Sequence, residues 1–465
     1  MQVVVGEDIT IQDCTPEIYE FFKSKLSFGN PEYYKRMNAG RWTGNTPQTI
    51  SLIERHGVDV LIPFGMLPQI FSMRSEFSNI INKFLPAIGL FDYKSTIKPT
   101  EYQERAIKAA LKARQGVVVA PCGAGKTMIG LEIVARLGGK TLWLTHTSDL
   151  LNQSMDRAKA FFDIDRDAYG TITAGKVDIG KAITFATVQT MSKLDLRKIR
   201  DEFDVVIVDE AHHVVGTPTK VMMFYRVISN LRARYKFGLT ATPDRSDGLT
   251  PCMYALIGPE VCRIVREEMG GITCQVKVKV RRTPYKPLIE DITLPDGTIS
   301  YPDFISNIVQ DEQRNSVIID DVVNASGTSL VLTERVSHVR YLKDKLKEKG
   351  MQVVSLSGVS QNKQAKQERE DAIQKIRSKQ VQVLVATYAL AKEGLDIPTL
   401  DNLFMATPQK NETVVTQSAG RVARKAEGKD FGTIYDYRDA FGMLSGWQNK
   451  RNRVYKRLGY EITED

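Results

Sequence analysis

Residues 116–137, GVVVAPCGAGKTMIGLEIVARL, contain an apolar run, a glycine-rich loop and a helical segment in that order. This succession of strand, loop and helix places the loop at a helix N-terminus. Gly123 and Gly125 let the backbone wrap closely around a phosphate, whose charge is favoured at that position. Lys126 can then reach the β- and γ-phosphates of a nucleotide, and Thr127 can ligate Mg²⁺. A glycine turn of purely structural use is the alternative, which the strand–loop–helix context disfavours.

A second apolar run, DVVIVDEAHH (204–213), ends in two acids. The pattern fits a buried strand that delivers Asp209 and then Glu210 to its carboxyl end. Asp209 would hold Mg²⁺, often through water, and Glu210 would orient and deprotonate the attacking water. Acids at a strand end are common by themselves, but together with the glycine-rich loop they predict a nucleoside triphosphatase.

Apolar runs alternate with helical stretches from about residue 96 to residue 262, and a second series of similar rhythm begins near residue 329. Short β-rich runs separated by helices are typical of parallel strands joined by crossover helices. The predicted fold class is therefore α/β, with two tandem domains of parallel sheet flanked by helices and a small N-terminal α/β accessory domain. The predicted boundaries are 1–95 (accessory domain), 96–262 (first α/β domain), 263–312 (linker with a β-hairpin insertion), 313–445 (second α/β domain) and 446–465 (basic tail).

The first 95 residues contain two helix-start signals and one aromatic, basic segment. Thr15-Pro16 and Thr46-Pro47 each combine an N-cap residue with a proline at the first helical position, so each predicts a helix. In residues 30–44, NPEYYKRMNAGRWTG, aromatic side chains can stack on bases and basic groups can meet phosphates. Local packing of these aromatics is the alternative. The candidate nucleic-acid contacts are Tyr33, Tyr34, Arg36, Arg41 and Trp42.

Basic segments also flank the second predicted α/β domain. QVKVKVR (275–281) alternates valine with basic residues, which predicts a half-buried strand with one positive face. LPDGTI (294–299) carries an Asp-Gly turn signal that suits a hairpin. Such a hairpin is either a wedge that separates strands or a plain connector, and the connector is favoured. For the tail we expect a solvated helix face that can touch phosphate, with Lys450, Arg451, Arg453, Lys456 and Arg457.

QSAGRVARK (417–425) has a helical pattern that can be directed at phosphate. Gln417, Gly420, Arg421 and Arg424 fall at i, i+3, i+4 and i+7, which places them on one helix face. Arginine suits phosphate because its planar fork binds two oxygens and stays charged. An arginine finger can accelerate phosphoryl transfer by roughly 10³–10⁵. A helix with a solvated basic stripe is the alternative.

The composition is that of a globular protein with a modest basic surplus: 465 residues, 42% hydrophobic, net charge +9. The surplus favours a polyanionic partner such as nucleic acid, although a basic enzyme without one is equally compatible. Five cysteines without a CxxC pair predict neither a disulfide scaffold nor a four-cysteine zinc site, and they fit a reduced cytosolic compartment. The histidines are scattered along the chain, so no metal cluster is predicted. No apolar run reaches the ~18 residues that a membrane-spanning helix needs.

The DEAH sequence at 209–212 resembles the box of superfamily 2 helicases, and the other motifs occur in the family's order. AxxGxGKT at 120–127 is similar to that superfamily's own phosphate loop, which accounts for Ala120 in place of the usual glycine. QxxGRxxR at 417–424 resembles motif VI. The resemblance covers about residues 97–440. It implies two RecA-like domains that use ATP and Mg²⁺, with Gln417, Arg421 and Arg424 acting in catalysis beside Lys126, Asp209 and Glu210.

The resemblance also implies roles for residues that spacing alone does not single out. The implied nucleotide-binding residues are Gln103, Gly123, Ala124, Gly125, Lys126, Thr127, Gly394 and Asp396. The implied coupling residues, between nucleotide and nucleic acid, are His212, Thr240 and Thr242. The implied nucleic-acid contacts are Thr147, Gln189, Arg245, Thr333 and Thr387. His213, which follows the box, receives no role.

TATPDRSDG (240–248) and the N-terminal aromatic segment resemble the XPB-type and phage UvsW-type helicases. This resemblance implies an ATP-dependent DNA helicase or translocase of 3′→5′ polarity. Its expected substrates are single-stranded, forked or junction DNA, unwound or branch-migrated in replication, recombination or repair. The expected location is the cytoplasm, that of the host if the chain is phage-encoded. An RNA helicase stays open as an alternative, as does the motor subunit of a restriction or remodelling complex that moves on duplex DNA without unwinding it.

Overall fold

The computed structural model describes residues 1–84, 90–121, 123–215, 222–245, 247–270, 274–294, 297–356, 363–392, 397, 399–426, 429 and 431–464. For residues 363–366, 391 and 392 it describes the backbone alone. The chain forms two compact units, Met1–Glu268 and Met269–Asp465. The first α/β domain therefore shares a unit with the accessory domain that precedes it.

Residues 1–84 form the small α/β accessory domain that the sequence predicts. Its elements are β1 (Gln2–Val5), β2 (Ile9–Gln12), α1 (Pro16–Leu26), β3 (Ser27–Gly29), α2 (Pro31–Asn38), β4 (Thr49–Ser51), β5 (Glu54–His56), β6 (Asp59–Ile62), α3 (Leu67–Ser72) and β7 (Asn79–Asn82). The main sheet has the order β5-β6-β2-β1-β7, and β3 pairs with β4 separately.

One of the two helix-start predictions is confirmed and the other is wrong. The Thr15 hydroxyl accepts a hydrogen bond from the Ile18 N–H at the N-terminus of α1. After Thr46-Pro47 the chain instead forms β4, which pairs antiparallel with β3 and sets Ile50 opposite Phe28. The pairing of β4 with β3, which lies about twenty residues earlier in the chain, outweighs the local signal for a helix N-terminus.

The rest of the first unit is a largely parallel sheet with helices. Its elements are α4 (Glu101–Ala113), β8 (Gln115–Val119), α5 (Lys126–Leu137), β9 (Thr141–Thr145), α6 (Ser148–Phe161), β10 (Tyr169–Thr173), β11 (Lys176–Asp178), β12 (Ile183–Thr187), α7 (Val188–Met191), β13 (Val205–Asp209), α8 (Met223–Ile228), β14 (Tyr235–Thr240), α9 (Thr250–Ile257) and β15 (Glu260–Arg263). The order is β11-β10-β12-β9-β13-β14-β8-β15. Five apolar runs of this region, GVVVA (116–120), TLWLT (141–145), AITFAT (182–187), DVVIVDE (204–210) and KFGLTAT (236–242), supply β8, β9, β12, β13 and β14. The burial of these strands is that of central parallel strands.

The accessory domain and this sheet share one hydrophobic core. Gly65 lies against α9, where an added Cβ atom would meet the Ala255 carbonyl oxygen at 2.3 Å. The buried ammonium of Lys236, on β14, donates to the Glu7 carbonyl at 3.3 Å and lies 4.4 Å from the centre of the Phe64 ring. The two parts are therefore packed as one body.

The second unit is a wholly parallel sheet with helices, which confirms the predicted α/β class. Its elements are β16 (Gln275–Arg282), α10 (Ile289–Ile292), α11 (Tyr301–Gln310), α12 (Glu312–Asn324), β17 (Ser329–Thr333), α13 (Val336–Glu348), β18 (Val353–Leu356), α14 (Lys363–Arg377), β19 (Val383–Thr387), α15 (Tyr388–Lys392), β20 (Asn402–Met405), α16 (Glu412–Val422), β21 (Phe431–Arg438), α17 (Gly442–Arg457) and β22 (Glu461–Glu464). The order is β18-β19-β17-β20-β21-β16-β22.

The segment predicted as a linker with a hairpin insertion, 263–312, is corrected by this sheet. Residues 275–282 form the alternately buried strand that the sequence predicts, but the strand lies inside the second sheet, between β21 and β22. At LPDGTI, Thr293 and Ile299 form an antiparallel bridge, and the Leu294 N–H donates to the Thr298 carbonyl at 2.7 Å. Residues 295–296 lie outside the described part, so the hairpin stays a prediction. Pairing with β21, which comes much later in the chain, decides where β16 lies.

The solvated helix face predicted in the basic tail, 446–465, is corrected at Arg451, whereas Lys450, Arg453, Lys456 and Arg457 are exposed on a helix as predicted. This segment forms most of α17 and the whole of β22, an edge strand of the second sheet. Arg451 is buried and its guanidinium lies 2.8 Å from the Asp436 carboxylate, which also accepts from the Tyr455 hydroxyl. Buried charges of this kind are paired within the protein, so Arg451 does not belong to a solvated face.

Candidate active site

Three neighbouring strands bring the predicted catalytic segments to one edge of the first sheet. Strand β14 lies between β8 and β13, with Thr240 opposite Val119 and Leu239 opposite Asp209. Because the carboxyl ends of parallel strands meet at the same edge, the loop after β8, the acids after β13 and the threonines after β14 converge there.

The glycine-rich loop takes the shape that a phosphate site requires. Gly123 and Gly125 have φ values of 90° and 77°, in the left-handed region that favours glycine. Helix α5 begins directly afterwards at Lys126, so the loop lies at a helix N-terminus, where backbone N–H groups favour a phosphate. Ala124 is buried between the two glycines, and Cys122 lies outside the described residues.

Gln103 holds this loop against helix α4. Its side-chain Oε1 accepts from the Thr100 N–H at 3.0 Å, and its Nε2 donates to the Ala124 carbonyl at 2.9 Å. A Cβ atom on Gly125 would come within 2.5 Å of that Nε2 atom. The Gln103 side-chain oxygen and nitrogen each make one hydrogen bond inside the protein, and each can make another, so a contact between Gln103 and a nucleotide stays a proposal.

Lys126 and the two acids form a charged group at the sheet edge. Lys126 Nζ lies 3.9 Å from Glu210 Oε1. Burial raises the pKa of Asp209 to about 7, and the neighbouring Glu210 charge acts in the same direction. Burial also opposes ionisation of Glu210, but the charge of Lys126 and the hydrogen bond with His212 outweigh it and lower the pKa of Glu210. The Glu210 carboxylate is therefore ionised at neutral pH.

The donor set suits a nucleotide phosphate with a divalent cation. The cradle has no side chain at Gly123 or Gly125, and the buried Asp209 carboxyl and the partly buried Glu210 carboxyl lie beside Lys126. A cation would offset the repulsion that raises the pKa of Asp209. Asp209 and the Thr127 hydroxyl are the groups that would hold Mg²⁺, which prefers oxygen ligands and keeps several of its waters.

The three predicted coupling residues lie together behind Glu210. His212 Nδ1 lies 3.3 Å from Glu210 Oε2 and 3.1 Å from Thr240 Oγ1. The Thr242 N–H donates to the same Thr240 oxygen at 3.2 Å. The carboxylate that is predicted to orient water is thereby connected to the end of β14.

The predicted nucleic-acid contacts of the first unit already have partners within the chain. The Thr147 hydroxyl caps α6 by accepting from the Leu150 N–H at 3.3 Å. Gln189 donates to the His146 carbonyl at 2.6 Å. The Arg245 guanidinium pairs with the Asp247 carboxylate and donates to the His212 carbonyl. Arg245 therefore reaches back toward the acidic motif.

Thr333 and Thr387 end two adjacent strands of the second sheet, and Thr333 requires a correction. Its hydroxyl is fully buried and lies 2.7 Å from both His338 Nδ1 and Thr407 Oγ1. A direct contact between Thr333 and nucleic acid is therefore wrong for this structure, because no part of the side chain reaches the surface. Thr387 keeps a small exposed fraction.

The arginine motif is only partly helical. Gln417, Gly420 and Arg421 lie on α16, as predicted, but the helix ends at Val422. Arg424 falls beyond it, so the prediction of one helix face for all four residues is wrong at Arg424. Ala423 follows the helix as its cap, and the turn there breaks the periodicity on which the prediction depends. Gly394 and Asp396, predicted to bind nucleotide, lie outside the described residues.

Three residues beside the site were not singled out as functional by the sequence. The Ser154 side chain, on α6, hydrogen-bonds to the Asp209 carboxyl. His146 and His213 lie ring to ring with His212, so the histidines that are scattered along the chain are partly gathered in space. Only the fold brings these side chains together, and no spacing rule connects positions 146, 154 and 213.

Comparisons with known proteins match both α/β domains of the chain. Residues 96–245 match the family described as type III restriction enzyme, res subunit, and residues 314–426 match the helicase conserved C-terminal domain. The chain is 27% identical to the DNA 3′–5′ translocase XPB2 of Sulfurisphaera tokodaii over 72% of this chain and 80% of that protein. It is 25% identical to a putative ATP-dependent RNA helicase of Acanthamoeba polyphaga mimivirus over 80% and 69% of the two chains.

A solved structure supports the fold. The fragment of a putative HsdR subunit of a type I restriction enzyme from Vibrio vulnificus has a TM-score of 0.58 at 18% identity, over 80% of this chain and 69% of that chain. No helix among the described residues has the length and apolar character to cross a membrane. With its phosphate loop, its DEAH box and both matching helicase domains, the chain belongs to the ATP-hydrolysing helicases of superfamily 2 and resembles their XPB-type members.

Proposed function

We propose that the chain is an ATP-dependent DNA helicase or translocase of 3′→5′ polarity that unwinds or branch-migrates branched DNA in replication, recombination or repair. The observation that carries the ATP-driven part is the convergence of the phosphate loop, Lys126 and Glu210 at one sheet edge. The similarity to a DNA translocase supports DNA as the track. The basic surplus is consistent with a polyanionic partner. A cytoplasmic location remains part of the same proposal.

The side chains at this edge divide the hydrolysis of ATP among them. Lys126 and the N–H groups at the start of α5 bind the phosphates. Glu210, ionised by its neighbours, orients the attacking water and accepts its proton. Mg²⁺ held by Thr127 and Asp209 would neutralise charge that develops on the transferring phosphoryl group. Gln417, Arg421 and Arg424 are the proposed source of further positive charge in the transition state.

The N-terminal aromatic segment is a proposed DNA contact. Trp42 exposes 86% of its surface, and Tyr34 exposes 38%. An exposed indole beside Arg41 can stack on an unpaired base while the guanidinium meets a phosphate. Thr147, Gln189, Arg245 and Thr387 remain proposed contacts with the nucleic-acid backbone.

The test is an ATPase assay at one stated salt concentration with single-stranded DNA, duplex, fork, four-way junction and RNA of matched length. We expect DNA to stimulate hydrolysis, with the largest effect from the branched forms. Glu210→Gln should lower kcat by about 10³ or more, since the group that orients and deprotonates water is lost. Lys126→Ala should abolish turnover, whereas Lys108→Ala, an exposed lysine on α4, should not.

Two other functions have specific support and would be recognised in the same assay. Stimulation by RNA and not by DNA would favour an RNA helicase, as in the mimivirus protein's description. Stimulation by duplex DNA without strand separation would favour the motor of a restriction or remodelling complex, the class from which the HsdR structure comes. Turnover that persists in Glu210→Gln would contradict the assignment of the site.

A further inference from the structure

Three of the chain's five histidines form a stack beside the catalytic carboxylate. The ring centres of His146 and His213 are 4.0 Å apart, and those of His213 and His212 are 4.2 Å apart, with interplanar angles of 40° and 38°. We call His146, His213 and His212 the histidine stack. It is a packing arrangement, since the described residues contain no group of three or more histidine, cysteine or acidic side chains placed to hold a metal ion.

The two ends of the histidine stack touch two different parts of the proposed machinery. At one end, the His146 carbonyl accepts from Gln189, so this residue joins the segments after β9 and β12 that are proposed to meet the nucleic-acid backbone. At the other end, His212 Nδ1 lies 3.3 Å from Glu210 Oε2 and 3.1 Å from Thr240 Oγ1. His213 is in ring contact with both neighbours and is the middle of this path.

The middle ring is neutral. Burial lowers the pKa of His213 to about 2, and the adjacent His212 and His146 rings act in the same direction. A neutral ring can stay in contact with both neighbours without charge repulsion. The centres of the His146 and His213 rings are 4.0 Å apart, so a shift of the His146 ring toward His213 would displace the His213 ring.

The backbone of Glu210 makes its carboxylate sensitive to such a shift. Glu210 has a φ of 50°, a left-handed conformation that costs a residue with a side chain on the order of 1 kcal/mol. It is held there by the turn that follows, Ala211–His213, whose His212 carbonyl accepts from Arg245. The direction of the Glu210 side chain thus depends on how the stack holds this turn.

We infer that His146 and His213 are positioning residues, which transmit occupancy of the proposed nucleic-acid segments to the Glu210 carboxylate through ring contact. This inference rests on the proposed function, since it requires an ATPase that responds to nucleic acid. A chain of packed side chains with two arrangements is a physical route by which one site can bias another. The expected consequence is that nucleic acid raises kcat only while the stack is continuous.

The experiment compares His213→Ala with His213→Phe in the full chain. ATPase rates are measured at saturating ATP with and without single-stranded DNA, and DNA affinity is measured by fluorescence anisotropy at the same salt. In His213→Ala the ratio of stimulated to basal kcat should fall about tenfold while DNA affinity stays as in the wild type. In His213→Phe the ratio should be kept, because the phenyl ring restores the contact. His56→Ala, an exposed histidine of the accessory domain, is the matched control.

Each outcome separates the two hypotheses. If no nucleic acid raises the ATPase rate of the wild-type chain, both the proposed function and this inference are wrong. If nucleic acid stimulates the wild type, two results overturn this inference alone. In one, the ratio of stimulated to basal kcat is unchanged in His213→Ala; in the other, it falls equally in His213→Ala and His213→Phe. If circular dichroism shows that His213→Ala is unfolded, the pair His146→Ala and His146→Phe decides by the same criterion.

Discussion

Gly125 marks the closest approach between the phosphate loop and the side chain of Gln103. The φ of 77° requires glycine, and a Cβ atom there would lie 2.5 Å from Gln103 Nε2. Gly125 is therefore constrained in two ways, first by its positive φ and second by the contact with Gln103. The sequence predicts the first, from the glycine pattern, whereas the second depends on the position of α4.

Replacement of Gly125 by alanine tests both constraints. We expect Gly125→Ala to weaken ATP binding by at least about tenfold, because the loop must move to relieve the contact. Gly175→Ala is the matched control, since Gly175 also has a positive φ, 83°, but no atom lies within 4 Å of an added Cβ. A clearly larger loss of nucleotide affinity in Gly125→Ala than in Gly175→Ala, measured by calorimetry, is the expected result. Unchanged affinity in Gly125→Ala would contradict the described loop.

At the scale of elements, the second sheet depends on a buried polar network between β17 and α12. His338 Nδ1 lies 2.7 Å from Thr333 Oγ1, and Nε2 lies 2.9 Å from Asn315 Oδ1. The Asn315 amide donates elsewhere, to the Val309 carbonyl, so its oxygen accepts from Nε2–H and Nδ1 accepts from the threonine. This network fits a neutral His338 and accounts for the burial of Thr333.

The network predicts a pH dependence of folding. Burial, followed by the charge of Arg314, lowers the pKa of His338 to about 3, from 6.5. Below pH ~6.5 the His338 imidazole binds a proton in the unfolded chain but not in the folded chain. The free energy of unfolding is therefore highest above pH ~6.5 and decreases as the pH falls toward the pKa of His338 in the folded chain. The loss should be about 2 kcal/mol by pH ~5.

Denaturant titration at pH ~7.5 and pH ~5 checks this contribution. The difference in free energy of unfolding between the two conditions should be smaller in His338→Gln than in the wild type. The exposed His56→Gln should keep the wild-type difference. Equal differences in all three chains would show that His338 is not the responsible group.

At the scale of the molecule, the accessory domain and the first α/β domain act as one folding unit. They share a core, and Lys236 in the centre of the sheet reaches the chain at Glu7. Gly65 lies so close to α9 that a Cβ atom would meet backbone oxygen. A movement of the main sheet of the accessory domain relative to the first α/β domain would break this core.

Gly65→Ala should therefore destabilise the whole first unit. Overpacking against a helix backbone costs about 1–3 kcal/mol, and the effect should appear in the same unfolding transition as loss of ATP binding. Gly57→Ala, in the same domain with no atom near an added Cβ, should leave that transition less affected. Separate transitions for the two parts would contradict a shared core.

The sequence determined those features that are encoded in short segments. The strands β8, β13 and β17 follow from their apolar runs, and the phosphate loop and the DEAH acids follow from residue types that few other functions require in that order. Local chemistry suffices for these features because strand, loop and acid are contiguous.

Only the tertiary structure decided where distant segments meet. It placed β16 inside the second sheet, buried Arg451 against Asp436 and ended α16 before Arg424. It also gathered His146, His213 and His212 beside Glu210. Each of these results depends on pairing or packing between segments far apart in the chain, and neither periodicity nor spacing carries that information.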